Sequence, residues 1–220
     1  MRSFFVTSTG TEIGKTYFTC SVLRQLRVLG REVRALKPVI SGLDESNVQQ
    51  SDSAHILRAL GQGVDQQSIA RISPWRFVEP LSPDMAAKRE GRLIELKDVL
   101  GCCQEFLAVG DGTKIVEGAG GLMSPLGEGF TNLDVAVVLD ASIVLVVGDY
   151  LGTISHTLTA YEALKSRGRL PWAIVMSEGQ KALVSMRETS ESIDRFVQCP
   201  IYLLRRNEDA PTDLVEEMLR

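Results

Sequence analysis

The chain has 220 residues, 44% hydrophobic and 24% charged, a composition that builds a packed core and excludes wholesale disorder. Its net charge of −4 gives no basic field to hold a nucleic-acid backbone, so no nucleic-acid partner is expected. No apolar run reaches the roughly 18 residues of a spanning helix, and the apolar part of Met1–Val6 is too short for a signal peptide. A cytoplasmic protein with no membrane partner is the expectation.

Phe4–Ser8 reads as a strand that runs into a Gly-containing turn. A helix follows, with Phe18, Val22, Leu26 and Val28-Leu29 on its buried side and a stop at Gly30. Val33–Leu36 is a second strand, ending at Lys37-Pro38. Residues 41–93 are less regular, with prolines at 74, 80 and 83, and read as loops and short helices over one end of a sheet. Within them, Ser51-Asp52-Ser53 precedes a helical Ala54–Leu60. Helical patterns recur at Ile94–Leu107, Thr153–Ser166 and Leu183–Val197. Strands are expected at Ile115–Glu117, Ile143–Val147 and Trp172–Met176, the last two nearly all apolar, as for strands covered on both faces. The acidic tail from Asn207 to Arg220 ends in a short helix. This alternation predicts an α/β fold, a parallel sheet with helices on both faces, as one domain over residues 1–220.

The four cysteines, Cys20, Cys102, Cys103 and Cys199, form no C-x-x-C pair and lie far from His55 and His156 in sequence. A zinc site is not expected, and the thiols read as free, small, buried apolar residues.

Gly10-Thr11-Glu12-Ile13-Gly14-Lys15-Thr16 sits between the first strand and the first helix. A phosphate cradle belongs there, because glycines let backbone N–H groups turn toward an anion and the helix start adds its positive end. Lys15 can reach β- and γ-phosphates, and the Thr16 hydroxyl can ligate Mg²⁺. The strict pattern G-x-x-x-x-G-K-S/T has Thr9 at its first position here, with Gly10 one place late. Lys37 and Ser41, just past the second strand, fall where the ligand crevice of an open parallel sheet lies. Ser51 or Asp52 can cap a helix, and Asp52 can equally serve as a Mg²⁺ ligand. Glu117 ends a strand and is followed by Gly118-Ala119-Gly120-Gly121, a place suited to an acidic metal partner of a phosphate loop.

Together these runs resemble the dethiobiotin synthetase family of biotin synthesis. The resemblance is carried by Thr11–Thr16, Lys37-Pro38-Val39 with Ser41-Gly42, Ser51-Asp52, Glu79-Pro80 with Ser82-Pro83, Glu117–Gly121, and Gly148 with Leu151-Gly152. It implies a P-loop NTPase-like fold and an ATP-dependent ligase that joins CO₂ to 7,8-diaminopelargonic acid, giving dethiobiotin, ADP and phosphate with Mg²⁺. It also implies that Lys37 and Lys15 are catalytic. Thr16, Asp52 and Glu117 would ligate the metal. Glu12, Ile13, Gly14, Lys15, Thr16, Tyr17, Asp52, Glu117, Gly118, Ala119, Gly120, Ser177 and Glu178 would hold ATP. Ser41 would contact the diamine, and a partner chain in a homodimer would hold its tail at Gly152, Thr153, Ile154 and Ser155. The local sequence itself supports an anion site there, since a helix begins at Gly152 after a buried strand and Thr153 and Ser155 offer hydroxyls. Four departures stand out. Ser8 replaces a glycine, Ser177-Glu178 replaces an Asn-Asp pair that reads adenine, Tyr150 stands where a lysine can occur, and Ile201–Asn207 does not clearly match. Both lysines follow strands and are read as functional charge, not packing.

Overall fold

The computed structural model describes residues 2–44, 46, 48–179 and 184–220. In chain order these form β1 (Ser3–Ser8), α1 (Lys15–Val28), β2 (Val33–Leu36), β3 (Val39–Ile40), α2 (Asp52–Ala59), α3 (Gln66–Ile72), β4 (Trp75–Arg76), α4 (Pro83–Arg89) and α5 (Leu96–Ala108). There follow β5 (Thr113–Glu117), β6 (Pro125–Gly127), β7 (Phe130–Thr131), α6 (Asn132–Val138), β8 (Ser142–Gly148), α7 (Thr153–Ser166), β9 (Ala173–Ser177), α8 (Met186–Asp194), β10 (Ile201–Leu204) and α9 (Thr212–Leu219).

Residues of each central strand alternate between two buried faces. Phe5, Val116, Ile143, Leu145, Ile174 and Met176 belong to one apolar cluster, with residues of α4, α5, α6, α7 and α8. Phe4, Val6, Ile115, Val144, Val146 and Val175 belong to the other, with α1, α2, α3 and α9. Strands buried on both sides must pair within one parallel sheet, because the helices that join them cover the faces. The sheet has six strands in the order β10-β9-β8-β1-β5-β2, every pairing parallel. The expected doubly covered sheet is thus present. Residues 41–93 carry α2, α3, α4 and β4, and β4 pairs in parallel with β3 just before them.

Some elements differ from expectation. Edge strand β10 and the β6-β7 hairpin had no clear pattern, being short. The helix expected over Leu183–Val197 is α8, Met186–Asp194, and Leu183 lies outside the described residues. Cys20 and Cys103 are buried, and all four cysteines are free. Burial pushes the Cys20 and Cys103 thiols up to about 12, which keeps them inert. No helix among the described residues is long and apolar enough to cross a membrane.

The strand order of the sheet puts β1 in the middle, between β8 and β5, so the loops leaving β1, β5 and β2 gather at one end. The turn after β5 is fixed from beneath. Asn132, fully buried at the start of α6, donates from Nδ2 to the carbonyls of Ala119 (2.6 Å) and Gly121 (2.8 Å). Leu122 N–H donates to Ser8 O at 2.7 Å, which joins this turn to the end of β1. Asn132→Ala would leave the Ala119 carbonyl without its donor, while Gly121 O keeps Ser124 N–H, and is expected to lower unfolding stability by about 1–3 kcal/mol in urea titration.

Candidate active site

The phosphate loop begins where β1 ends. Gly14 has φ 104°, left-handed backbone that suits glycine, and it is the residue before α1. A Cβ on Gly14 would lie 2.4 Å from Ser177 Oγ, so the loop packs against the end of β9. Gly121 is equally constrained, since a Cβ there would come within 2.9 Å of Gly10 N. Lys15 folds back over the loop. Its Nζ donates to Ser8 Oγ (3.0 Å) and Gly10 O (3.3 Å). Ser8, which replaces the expected glycine, therefore holds the lysine in place. Burial and the nearby Lys37 ammonium draw Lys15 down to about 8.

Glu117 ends β5 and is fully buried. The parallel register sets Leu36 opposite Val116, so Lys37 follows β2 beside Glu117. Lys37 Nζ lies 2.7 Å from Glu117 Oε1 and 3.1 Å from Asp52 Oδ2. Thr16 donates to the same Oε1 at 2.7 Å, and Thr19 donates to Oε2 at 2.5 Å. Burial alone would lower the Lys37 pKa, but the two carboxylates outweigh it and hold the ammonium above its ordinary range. Burial raises and Lys37 lowers the Asp52 pKa, and the ammonium prevails, leaving this carboxyl below its usual range.

The choice between Ser51 and Asp52 is settled by the start of α2. Ser51 Oγ accepts from Ala54 N–H at 3.1 Å and caps the helix. Asp52 is thereby left to face Lys37. Thr16, Asp52 and Glu117 are thus brought together around Lys37. One expectation is corrected: Lys37 is only 3% exposed and is ion-paired, so its charge also holds the fold together.

A cavity of about 630 Å³ opens above these groups, lined by the phosphate loop from Thr11 to Tyr17 together with Lys37, Ser41, Asp52, Ala119 and Gly120. Gly118 is buried beneath it, and the missing Cβ leaves room for Asn132 Oδ1. Pro80–Pro83 and Ser124 complete the wall. Ser124 Oγ accepts from Gly121 N–H at 2.8 Å. The donor set at Thr16, Asp52 and Glu117 fits Mg²⁺: the oxygens are hard, and the two carboxylates already converge on one cation, the Lys37 ammonium. Two carboxylates and a hydroxyl suit a metal that takes its remaining ligands from phosphate and water.

Two groups of expected residues lie elsewhere. Ser177 is buried against Gly14, and the Glu178 carboxylate accepts from the Arg206 backbone N–H at 2.8 Å, so neither lines this cavity. The segment after β10 is tied to α1 instead. Tyr17 OH donates to Glu208 O at 2.6 Å, and Ser21 Oγ accepts from Ala210 N–H at 2.6 Å. Gly152, Thr153, Ile154 and Ser155 line a second groove of about 830 Å³ along α7, with Tyr150 and Leu158. Gly152 is left-handed at φ 99° and caps α7 with no side chain. Thr153 is buried and donates its hydroxyl to Gly148 O at 2.6 Å, which leaves the Ser155 hydroxyl toward solvent.

Sequence reasoning missed Thr19, Asn132 and Ser124. Thr19 carried one readable signal: it stands three residues after Thr16, on the same side of α1.

Comparison with known proteins bears on the fold and the family. A family model described as an AAA domain matches residues 2–203. The MinC:MinD cell division protein complex of Aquifex aeolicus shares the fold at a TM-score of 0.58 and 16% identity, covering 99% of this chain and 86% of the other. A ParA family ATPase from Chlorobium tepidum does so at 0.53 and 20%, covering 99% and 88%. Both likenesses identify a P-loop NTPase-like fold. In sequence, the ATP-dependent dethiobiotin synthetase BioD of Acidiphilium cryptum is 44% identical over 198 residues, 90% of this chain and 89% of the relative. The protein of the same name from Methylobacterium nodulans is 41% identical over 218 residues, 97% of both chains. The chain belongs to the ATP-dependent dethiobiotin synthetase family.

Proposed function

We propose that this chain is an ATP-dependent cyclo-ligase that converts 7,8-diaminopelargonic acid and CO₂ to dethiobiotin, with ADP and phosphate as the other products. The relatives' shared name supports the reaction. The observation that carries the site assignment is Lys37, a buried cation poised between Glu117 and Asp52 beside the phosphate loop.

CO₂ adds to one amine of the substrate to give a carbamate. A carbamate oxygen attacks the γ-phosphorus, ADP leaves, and a carbamic-phosphoric anhydride forms. The second amine then attacks the carbamoyl carbon, the urea ring closes and phosphate departs. The chain must gather two anions that repel each other. Lys15 and Lys37 oppose that charge, and the backbone of Glu12, Ile13, Gly14, Lys15, Thr16 and Tyr17 cradles the phosphates at the start of α1. Gly118, Ala119 and Gly120 let the nucleotide and diamine come close to the backbone, and Ser41 offers a hydroxyl to the diamine. Thr16, Asp52 and Glu117 would hold Mg²⁺, which supplies charge neutralisation at the β- and γ-phosphates when bound. Positioning and electrostatics of this kind are what phosphoryl transfer asks of a protein.

The α7 groove supports a homodimer in which Gly152, Thr153, Ile154 and Ser155 take the substrate's carboxylate from the partner's site. Leu151 is 79% exposed at its rim, an apolar side chain that a second copy would cover. For the nucleotide base, the assignment of Ser177 and Glu178 rests on the family resemblance alone, since Ser177 packs against Gly14 and Glu178 holds the Arg206 backbone N–H. A cytoplasmic location without nucleic-acid or membrane partners fits the acidic charge.

The deciding assay is ATP turnover with and without each co-substrate. Phosphate release that requires both the diamine and bicarbonate is expected; turnover indifferent to the diamine would refute the ligase and favour an ATP-driven switch. Lys15→Ala and Lys37→Ala should each lower turnover by about 10²–10³. Their stabilities should part company: Lys37→Ala strands a buried carboxylate and should cost about 3–5 kcal/mol in denaturant unfolding. Among the described residues Lys15 Nζ is held by Ser8 and Gly10 and by no carboxylate, so Lys15→Ala should unfold close to wild type. Light scattering at assay concentration should give a dimer; a fully active monomer would remove the shared site.

A further inference from the structure

Glu117 carries two oxygens with different surroundings. Oε1 receives Thr16 and Lys37, each at 2.7 Å, on the side of the phosphate loop. Oε2 receives Thr19 at 2.5 Å, and both residues are fully buried. Thr19 lies one turn into α1, between the buried Phe18 and Cys20, and it does not line the cavity. A threonine inside a helix commonly returns its hydroxyl to a carbonyl of the preceding turn. Here the hydroxyl reaches across to the end of β5 instead.

We propose that Thr19 is a positioning residue: by fixing Oε2 of Glu117 it presents Oε1 alone to the divalent metal and so sets the metal affinity of the nucleotide complex. This rests on the reading of Glu117 as a metal ligand. A carboxylate held at one oxygen has one way to face its partners. Without that anchor, Oε2 is a buried charged acceptor with no donor, and rotation of the group lets it compete for Thr16 and Lys37. The donors around Oε1 would then be shared between two oxygens, and the ligand would no longer be aimed. Groups that orient a metal ligand without touching the metal commonly carry 10–100-fold in affinity.

The test is the affinity of Mn²⁺ for the protein in complex with a non-hydrolysable ATP analogue, followed by paramagnetic resonance of free Mn²⁺. Thr19→Val keeps the shape and removes the hydroxyl; it should weaken Mn²⁺ binding about 10-fold, with Thr19→Ser within about twofold of wild type. Analogue binding in chelator, without metal, should be unchanged in both. Should Thr19→Val not fold, Thr19→Ala and Thr19→Ser differ in the hydroxyl and allow the same comparison. Wild-type affinity in the hydroxyl-free variants, alongside a weakened Glu117→Gln, overturns the role of Thr19 alone. An unchanged Glu117→Gln overturns it together with the assignment of Glu117 to the metal.

Discussion

A carboxylate with no exposure to water is the constraint around which this chain is arranged. Glu117 ends a strand in the middle of the molecule, and an unpaired charge there would be strongly destabilising. Three donors remove that penalty: Thr16 and Thr19 from α1 and Lys37 from the end of β2. Lys37 also reaches Asp52 at the start of α2. One buried charge therefore ties together the helix that carries the phosphate loop, two neighbouring strands and the helix that closes the site. The groups proposed for chemistry are the same groups that satisfy the buried carboxylate of the fold.

That coupling sets what happens when a ligand does arrive. The Lys37 ammonium occupies the space between the two carboxylates, so it already neutralises them. Triphosphate brings negative charge to the open side of the same cluster, where Lys15 rests on Ser8 and Gly10. Both lysines can turn toward phosphate from positions held by weak, replaceable contacts or by carboxylates that a metal would share. Preorganised positive charge in a partly dry cleft is worth more than the same charge in water.

Much of this was legible in the sequence, for a physical reason. The phosphate loop is local: its glycines, lysine and threonine must be adjacent in the chain, so Gly14-Lys15-Thr16 announces itself. The helix over Thr153–Ser166 matched its expected span because apolar periodicity and a preceding Gly152 mark it. Short elements were hidden. Ile201–Leu204 is an edge strand of four residues after Pro200, and three of the four are only partly buried. Asp52 and Ser51 were equivalent as helix caps, and only the third dimension separates them, by placing Lys37 against one. The structural weight of Lys37 was invisible for the same reason: its partner Glu117 lies 80 residues away. Asn132 had no local signal, since its partners are backbone carbonyls, Ala119 and Gly121, in a turn before the β6-β7 hairpin.

The most direct measurement is a crystal structure with Mg²⁺, a non-hydrolysable ATP analogue and the diamine bound. The proposed site requires metal density against Thr16, Asp52 and Glu117, Thr19 still on Oε2, and Lys37 drawn off the carboxylates toward the γ-phosphate. Lys37 unmoved between Glu117 and Asp52, with the metal bound by other residues, would contradict it.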